Sequence, residues 1–261
     1  MGAPRPVCLI TGGASGLGRA AARRFARAGY DLVIGDINPE SGEEAAAELK
    51  SSGIEARFVR TDVADPQSVG TLVATTMRTF GRLDCAVNNA AIEGKRGFIA
   101  EYDDAEVQKI FAINFMGVFS ALKHEIAAML KTGGGAIVNI GSSAGMRGTP
   151  RMAAYSSMKH ALVGLTRAAA LEYAGQGIRV NIVSPGSFRT PMSERLYGED
   201  VDNVLASVTP LLRAGSVDEI AEAIFWLCSP ASSFVTGANL AADGGKTAGA
   251  MLGVNALWRT G

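Results

Sequence analysis

The fold is decided by the stretch VCLITGGASGLG, residues 7–18, which passes from an apolar segment into a glycine-rich turn. Val7–Ile10 has the composition of a buried strand, and residues 19–28 continue as a helical pattern. Glycines at positions 12, 16 and 18 permit a tight turn, a close backbone approach to a phosphate and close helix packing. The stretch therefore predicts a strand, turn and helix that bind the pyrophosphate of a dinucleotide.

An acidic residue at the end of the second apolar run indicates which dinucleotide binds. Asp36 follows Gly16 by about 20 residues, the distance at which a carboxylate accepts hydrogen bonds from an adenosine ribose 2′-hydroxyl. The same carboxylate repels a 2′-phosphate, and Ser15 stands where an arginine would help to bind one. The sequence therefore predicts NAD rather than NADP.

Short apolar runs alternate with helical patterns along the whole chain. The predicted strands are Val7–Ile10, Asp31–Gly35, Ala56–Val59, Leu83–Val87, Ala136–Ile140, Arg179–Val183 and Asn239–Ala242. Most lack strict alternation, as in parallel sheets covered on both faces. Helix starts are indicated by Asp65 before a proline and by the capping box Ser216–Glu219. The fold class is α/β, a single-domain Rossmann-type doubly wound parallel sheet of about seven strands with helices on both faces.

No break in composition divides residues 1–261, so we expect one dinucleotide-binding and catalytic domain. Residues 186–210 lack a strand and have a weak helical pattern, which predicts a long loop covering the substrate. Residues 247–261 form a C-terminal tail without a recognisable role.

Composition excludes several classes of protein. The 25 basic and 25 acidic residues give a net charge of +0, without the basic excess of a nucleic-acid binder. A hydrophobic content of 48% excludes a disordered chain. Cys8, Cys85 and Cys228 have neither disulfide-framework nor metal-ligand spacing, and we expect buried thiols, no metal and a reducing compartment. Without a signal peptide or a membrane-length apolar stretch, the prediction is a cytoplasmic protein with no membrane partner.

Together with motifs further along, the chain resembles the short-chain dehydrogenase/reductase family from about residue 5 to 246. The matching elements are Thr11–Gly18, Asp62-Val63, Asn88-Asn89-Ala90, Asn114, Ser142, Tyr155–Lys159, Pro185-Gly186 and Asp243–Gly245. Ala91 departs from the pattern, since the family usually has glycine there. The resemblance implies an NAD-dependent alcohol dehydrogenase or ketone reductase that forms a homotetramer. The residues implied to bind NAD are Gly12, Ser15, Gly16, Leu17, Gly18, Asp36, Ile37, Asp62, Val63, Asn88, Asn89, Ala90, Tyr155, Lys159, Pro185, Gly186, Phe188 and Thr190.

The candidate catalytic residues are Asn114, Ser142, Tyr155 and Lys159. Tyr155 and Lys159 lie one turn apart on the helix after the fifth strand, and Ser142 ends that strand, where open α/β sheets bind ligands. A phenol of pKa ~10 is a poor base at neutral pH, but a neighbouring ammonium and a cationic nicotinamide favour the phenolate. The hypothesis makes Tyr155 the general base or acid, with Ser142 bonding the reacting oxygen and Lys159 lowering the pKa of Tyr155. The resemblance implies that Asn114 positions a water.

Two other classes of protein are open to the same residues. Gly141–Gly145 matches the nucleophile motif of a serine hydrolase with Ser143, but no acid lies between Ser143 and His160, the last histidine. An NAD-binding regulatory protein without catalysis would keep the dinucleotide site but would not need the four candidate catalytic residues. His124 and His160 lie on helical patterns and are interpreted as structural.

Substrate specificity is expected from Ile92–Gly97, Ala144–Met152 and residues 186–210. Their apolar side chains, Met146, Met152, Phe188, Met192, Leu196 and Tyr197, suit a cyclic or bulky secondary alcohol or ketone. Arg147, Arg151 and Arg195 are either polar anchors or surface arginines. The stretch Ile92–Tyr102 resembles dehydrogenases of cyclohexadiene diols. Family tetramers pair the helices carrying Asn114 and Tyr155, and the apolar residues Phe115, Phe119, Leu162 and Leu165 are compatible with that pairing.

Overall fold

A computed structural model describes residues 4–189, 193–194 and 198–249. Five residues named above for the cofactor or substrate lie outside the described residues, as does most of the predicted tail. These five are Thr190, Met192, Arg195, Leu196 and Tyr197.

The core of the fold is one parallel sheet of seven strands. The strands are β1 (Val7–Thr11), β2 (Asp31–Asp36), β3 (Ala56–Arg60), β4 (Cys85–Asn88), β5 (Gly135–Ile140), β6 (Ile178–Pro185) and β7 (Asn239–Ala242). Their order is β3-β2-β1-β4-β5-β6-β7, and every neighbouring pair is parallel. This confirms the predicted doubly wound sheet. The order reverses between β1 and β4, which opens a crevice at the carboxyl ends of these strands.

Helices cover both faces of the sheet. They are α1 (Gly16–Arg27), α2 (Pro39–Lys50), α3 (Pro66–Phe80), α4 (Asp104–Phe111), α5 (Gly117–Thr132), α6 (Ala153–Tyr173), α7 (Val201–Ser207) and α8 (Val217–Cys228). Phe25 of α1, Leu49 of α2 and Ile224 of α8 belong to the apolar cluster on one face. Leu72 of α3 and Leu162 of α6 belong to the cluster on the other face, together with residues of α5.

The local signals for helix starts are confirmed. The Asp65 carboxylate accepts from Gln67 N at 2.9 Å, and Ser216 and Glu219 form the reciprocal capping box of α8. Residues 186–210, predicted as a long loop with a weak helical pattern, contain the short helix α7 and a 3₁₀ turn at Gly198–Asp200. That this segment covers the substrate stays a prediction. Burial of Val201 and Leu205 against the rest of the chain stabilises this short helix. Seven residues are too few for a periodic sequence pattern to reveal a helix.

Asp104–Thr132 forms a continuous helix, because a π-helical turn at Ala112–Met116 joins α4 to α5. By length and composition it could cross a membrane, contrary to the expectation that no stretch is long enough. Half of its most apolar window is buried inside the chain, where it packs on α3 and α6. It carries the buried polar residues Asn114 and Glu125, so its inner face belongs to the core.

The three cysteines are free and buried, as expected from their apolar surroundings. Cys8 and Cys85 lie opposite each other on β1 and β4, and the Cys85 thiol lies 3.7 Å from the Cys228 carbonyl oxygen. Burial raises the pKa of the Cys8 and Cys228 thiols, which keeps them in the protonated form.

Candidate active site

The glycine-rich turn packs against the end of β4. Gly12 has φ +65°, and a Cβ atom there would lie 2.8 Å from Asn89 Nδ2 and 2.9 Å from Ala90 Cα. A Cβ atom on Gly18 would lie 2.1 Å from the carbonyl oxygen of Gly12. Asn89 Nδ2 donates to the carbonyl oxygens of Thr11 at 3.1 Å and Gly12 at 2.9 Å. These contacts fix the turn and place the start of α1 directly beside the crevice.

The N-terminus of α1 has the properties of an anion-binding site. Its N-cap, Ser15, makes no capping hydrogen bond through its hydroxyl, and the first turn contains no acidic residue. Gly16 has φ +50°, and a Cβ atom there would meet nothing within 4 Å, so the backbone borders open space in the cleft. Unpaired N–H groups and the positive end of the helix dipole therefore face a space that fits a pyrophosphate.

Asp36 is held at the end of β2 beside this turn. Its carboxylate oxygens accept from Ala14 N and Asn38 N, each at 3.1 Å. Asp36 and the exposed Ile37 both line the cleft, as do Asp62 and Val63 at the end of β3. A carboxylate with further acceptor capacity thus borders the part of the cleft next to the phosphate site.

A single cleft of about 990 Å³ brings most of the predicted residues together. Those that line it are Gly12, Ser15, Gly16, Leu17, Asp36, Ile37, Asp62, Val63, Asn89, Ala90, Ser142, Tyr155, Lys159, Pro185, Gly186 and Phe188. Gly18, Asn88 and Asn114 are not among the lining residues and are buried behind it. Asn88 instead donates to Glu125 Oε2 and Asn139 Oδ1, both at 3.0 Å, inside the sheet.

Ser142 and Tyr155 form a polar pair in the cleft. Ser142 lies just after the end of β5 and is the N-cap of a 3₁₀ turn at Ser143–Gly145. Its Oγ accepts from Ala144 N at 3.1 Å. Burial raises the pKa of Tyr155 to about 12, against the lowering effect of its hydrogen bond to Ser142, and Glu93 adds to the rise. The phenol is therefore protonated at neutral pH in this structure.

Lys159 lies one helical turn beyond Tyr155, and its ammonium is buried beside the tyrosine ring. Its Nζ donates to the carbonyl oxygen of Ile140 at 2.7 Å and lies 5.6 Å from the centroid of the Tyr155 ring. Burial lowers the pKa of Lys159 to about 8, so the ammonium persists at neutral pH. Burial dominates the pKa of Tyr155 in this structure. That Lys159 lowers this pKa stays a prediction.

Asn114 clamps the segment that follows β4. It lies in the π-helical turn, where its Oδ1 accepts from Ile92 N at 2.9 Å and its Nδ2 donates to Ile92 O at 2.7 Å. Ile92 lines the cleft. The side chain of Asn114 therefore positions the cleft wall, while its role in holding a water stays a prediction.

The hydrolase arrangement is not assembled around Ser143. His160 Nδ1 lies 2.8 Å from the carbonyl oxygen of Ser156 on its own helix, and His124 packs beside Gly70 of α3. Among the described residues, no group of three His, Cys, Asp or Glu side chains could hold a metal ion.

The cleft also contains charged residues that sequence reasoning missed. Glu93 pairs with Arg96 at 2.7 Å, and Lys246 Nζ donates to Ser187 Oγ at 2.7 Å. Lys109 lines the same cleft. Two features of the sequence could have indicated these residues. Glu93 and Arg96 have the i, i+3 spacing of an ion pair, and Lys246 follows the end of a strand.

The predicted substrate-binding residues divide into two groups. Met152, Phe188 and Arg147 line the cleft, whereas Met146 is not among its lining residues. Arg151 lies over the ring of Phe98, with 5.2 Å between guanidinium carbon and ring centroid, and is not a lining residue.

Comparison with known sequences gives matches over nearly the whole chain. A family model described as enoyl-(acyl carrier protein) reductase matches residues 12–247. The chain is 44% identical over 243 residues to 2,5-dichloro-2,5-cyclohexadiene-1,4-diol dehydrogenase of Sphingobium indicum, covering 92% of this chain and 96% of the relative. It is 39% identical over 244 residues to short chain dehydrogenase/reductase astE of Aspergillus oryzae, covering 92% and 94%. It is 42% identical over 242 residues to cis-4-hydroxycyclohexanecarboxylate dehydrogenase of Sinomonas cyclohexanicum, covering 93% and 96%.

Solved structures give the same result. Levodione reductase superposes with a TM-score of 0.90 at 37% identity, covering 95% of this chain and 99% of that one. NAD⁺-bound xylitol dehydrogenase gives 0.88 at 34% identity, covering 92% and 98%. ElxO with NADP bound gives 0.87 at 32% identity, covering 94% and 100%. With the parallel sheet, the glycine-rich turn and the cleft described above, these matches show that the chain belongs to the short-chain dehydrogenase/reductase family of NAD(P)-dependent oxidoreductases.

Proposed function

We propose that this enzyme transfers a hydride between NAD and a cyclic secondary alcohol or ketone, with Tyr155 as general acid or base. The observation that carries the proposal is one cleft that joins the phosphate-binding turn to Ser142, Tyr155 and Lys159. Bound there, NADH supplies the hydride for ketone reduction and NAD⁺ accepts it in alcohol oxidation.

Each of the three side chains has a definite task. In reduction, the Tyr155 hydroxyl donates its proton to the carbonyl oxygen as the carbon gains the hydride, which leaves a phenolate. Ser142 hydrogen-bonds the same oxygen, since it already bonds the phenol that the oxygen must face. In oxidation, the phenolate takes the hydroxyl proton back.

Lys159 supports the charge that forms on Tyr155. Burial favours the neutral phenol, which suits a general acid but opposes formation of the phenolate. The Lys159 ammonium lies beside the ring and is fixed by the carbonyl oxygen of Ile140. We assign it the role of stabilising the phenolate in the low-dielectric cleft and of orienting the cofactor ribose.

Asp36 supports NAD as the preferred cofactor. Its backbone hydrogen bonds hold the carboxylate at the ribose end of the phosphate site, where it accepts from a 2′-hydroxyl and repels a 2′-phosphate. Arg19, the first arginine after the glycine-rich turn, forms salt bridges with Glu44 and Glu48 on α2.

The named activities of relatives support a ring substrate. Two of the sequence relatives compared above are named for ring substrates, a cyclohexadiene diol and a hydroxycyclohexanecarboxylate. Met152 and Phe188 give the cleft an apolar wall for a ring, as expected from the sequence.

Tyr155→Phe tests this function. The variant keeps the ring and loses the proton, so reduction of cyclohexanone with NADH, followed at 340 nm, should fall at least about 100-fold. NADH binding, measured by fluorescence, should change less than about threefold. Tyr173→Phe, at the far end of the same helix, is the matched control and should retain turnover. Undiminished turnover in Tyr155→Phe would remove the assignment.

We also propose a homotetramer that works in the cytoplasm. Exposed aromatic residues on α4 and α5 and three free cysteines support assembly and a reducing compartment, respectively. Leu162, which the sequence analysis placed at this interface, cannot contact another copy because it is fully buried in the chain's own core.

A further inference from the structure

Charges are unevenly distributed along the cleft. The acids Asp36 and Asp62 lie at its β2 and β3 side, and among the described lining residues the remaining acid is Glu93. The basic residues that line the cleft all lie on the other side, after β4, and are Arg96, Lys109, Arg147, Lys159 and Lys246. The whole chain has a net charge of +0, so this excess of positive charge is a local feature of the substrate end.

Lys246 reaches this end from the turn that follows β7. Its Nζ donates to Ser187 Oγ, a neutral acceptor, at 2.7 Å. Burial lowers the pKa of Lys246, and the charges of Arg147 and Arg96 lower it further, against the opposing effect of Asp243. Lys246 is therefore partly desolvated and close enough to the exposed cations Arg147 and Arg96 for their charges to act on it.

The acids nearby do not neutralise this charge. The Asp243 carboxylate accepts from Gly245 N, Thr247 N and the Thr247 hydroxyl, so its own turn occupies it. Glu93 forms a salt bridge with Arg96. Lys246 and Arg147 are left without a carboxylate partner in the described part of the chain.

Arg147 lines the same cleft as Lys246, from the segment after β5. It follows the 3₁₀ turn that Ser142 caps, and the Thr247 hydroxyl lies 3.7 Å from the sulfur of its neighbour Met146. The contact brings the segment after β5 against the segment after β7, beside the reacting side chains. The described residues provide no hydrogen-bond or ion-pair partner for the Arg147 guanidinium.

We propose that Lys246 and Arg147 form a subsite for a carboxylate carried by the substrate ring, while Ser142 and Tyr155 act on its hydroxyl or carbonyl group. The inference rests on the proposed function and narrows its substrate class to cyclic hydroxy acids and keto acids. A carboxylate supplies the charged acceptor that both cations lack, and charge-assisted hydrogen bonds orient the ring.

Binding of an unreactive pair of ring compounds tests the subsite. Calorimetry in the presence of NADH compares cyclohexanecarboxylate with cyclohexanecarboxamide, which differ only in charge and donor pattern. The carboxylate should bind at least about tenfold tighter to the wild type and to the Lys246→Arg variant. Lys246→Met and Arg147→Gln should each reduce that ratio, and their combination should bring it to about one. Lys50→Met, at an exposed position of α2, should keep that ratio.

Two outcomes separate this inference from the proposed function. Equal binding of acid and amide to the wild type, or a preference that survives in the double variant, overturns the subsite even if cyclohexanone is reduced. A carboxylate preference that depends on Lys246 and Arg147, without turnover of any cyclic ketone, supports the subsite and overturns the proposed reaction.

Discussion

Asp36 links two backbone segments and, in the proposed function, selects the cofactor. Its carboxylate receives N–H groups from Ala14 in the glycine-rich turn and from Asn38 at the start of α2. A ribose hydroxyl would therefore meet an acceptor already fixed in place. The orientation costs little on binding, because the protein has ordered the group beforehand.

Asp36→Asn should weaken the preference for NAD. The amide keeps one acceptor oxygen for the backbone but no longer repels a 2′-phosphate. Because a hydrogen bond to a charged group contributes about 1.5–3 kcal/mol, the ratio of kcat/KM for NAD over NADP should fall by about 10–100-fold. Initial rates with both nucleotides measure this ratio, and Glu40→Gln, at an exposed position of α2, should leave it unchanged. An unchanged ratio in Asp36→Asn would contradict the assignment.

Glu125 is a buried acid that the proposed reaction does not use. Its Oε2 accepts from Asn88, which also donates to Asn139, and Asn139 in turn donates to Thr166 at 2.9 Å. Glu125 Oε1 and Asn88 Oδ1 find no hydrogen-bond partner among the residues that the structure describes. A proton on Glu125 removes the buried charge, and burial accordingly raises the pKa of Glu125 to about 7.

Glu125→Gln should change how stability depends on pH. The folded state binds the proton more tightly than the unfolded chain, whose pKa is 4.5, so the free energy of unfolding falls as pH rises from about 4.5 to about 7. The loss amounts to roughly 3 kcal/mol at ~1.36 kcal/mol per unit. Urea unfolding at pH 5 and pH 8 should show a difference between wild type and variant that grows by this amount. Parallel pH profiles would show that Glu125 is already ionised in the folded state.

At the scale of elements, the π-helical turn between α4 and α5 positions one wall of the cleft. A π turn inserts one residue into the helix at Ala112–Met116, and such turns occur often at functional sites. The turn contains Asn114, whose amide pairs with both backbone groups of Ile92. The helix thereby fixes the segment after β4, which runs along the cleft.

Asn114→Ala should destabilise the protein and loosen this wall. Losing both partners of Ile92 leaves a donor and an acceptor without hydrogen bonds, at a cost of about 1–3 kcal/mol. Chemical unfolding measures this cost, and KM for the substrate should rise with it. Gln108→Ala, on the exposed side of α4, should cost less than about 0.5 kcal/mol. A loss no larger than that of the control would show that the clamp does not hold the wall.

The elements that the sequence predicted correctly are those with local causes. All seven strands were found because continuous apolar runs mark strands covered on both faces, and the caps at Asp65 and Ser216 depend on neighbouring residues. Helix α7 was missed, since its seven residues fold through burial of Val201 and Leu205. The π turn was missed too, because its hydrogen bonds leave no composition signal.

At the scale of the molecule, the candidate site could be predicted as far as topology determines it. A parallel sheet brings the carboxyl ends of its strands to one edge, so Gly16, Asp36 and Ser142 were expected to share a crevice. No comparable topological rule predicts which side chains contact each other across the core. The pairing of Asn88 with Glu125 and the position of Lys246 beside Arg147 depend on packing between segments far apart in sequence.

A row of aromatic side chains lies along the surface of α4 and α5. Phe111, Phe115 and Phe119 form a ladder with ring centroids 5.3 and 6.4 Å apart, and Phe119 is 46% exposed. A row of exposed apolar side chains on one helix suits a symmetric contact between two copies. For the homotetramer proposed above, to which this contact contributes, light scattering after size exclusion should give about four times the chain mass of 27.0 kDa. Phe119→Glu should reduce that mass by half or more, because a charge in the contact must be desolvated, whereas Glu43→Lys on α2 should not. A wild-type mass of one chain, or an unchanged mass in Phe119→Glu, would show that this face is not the contact.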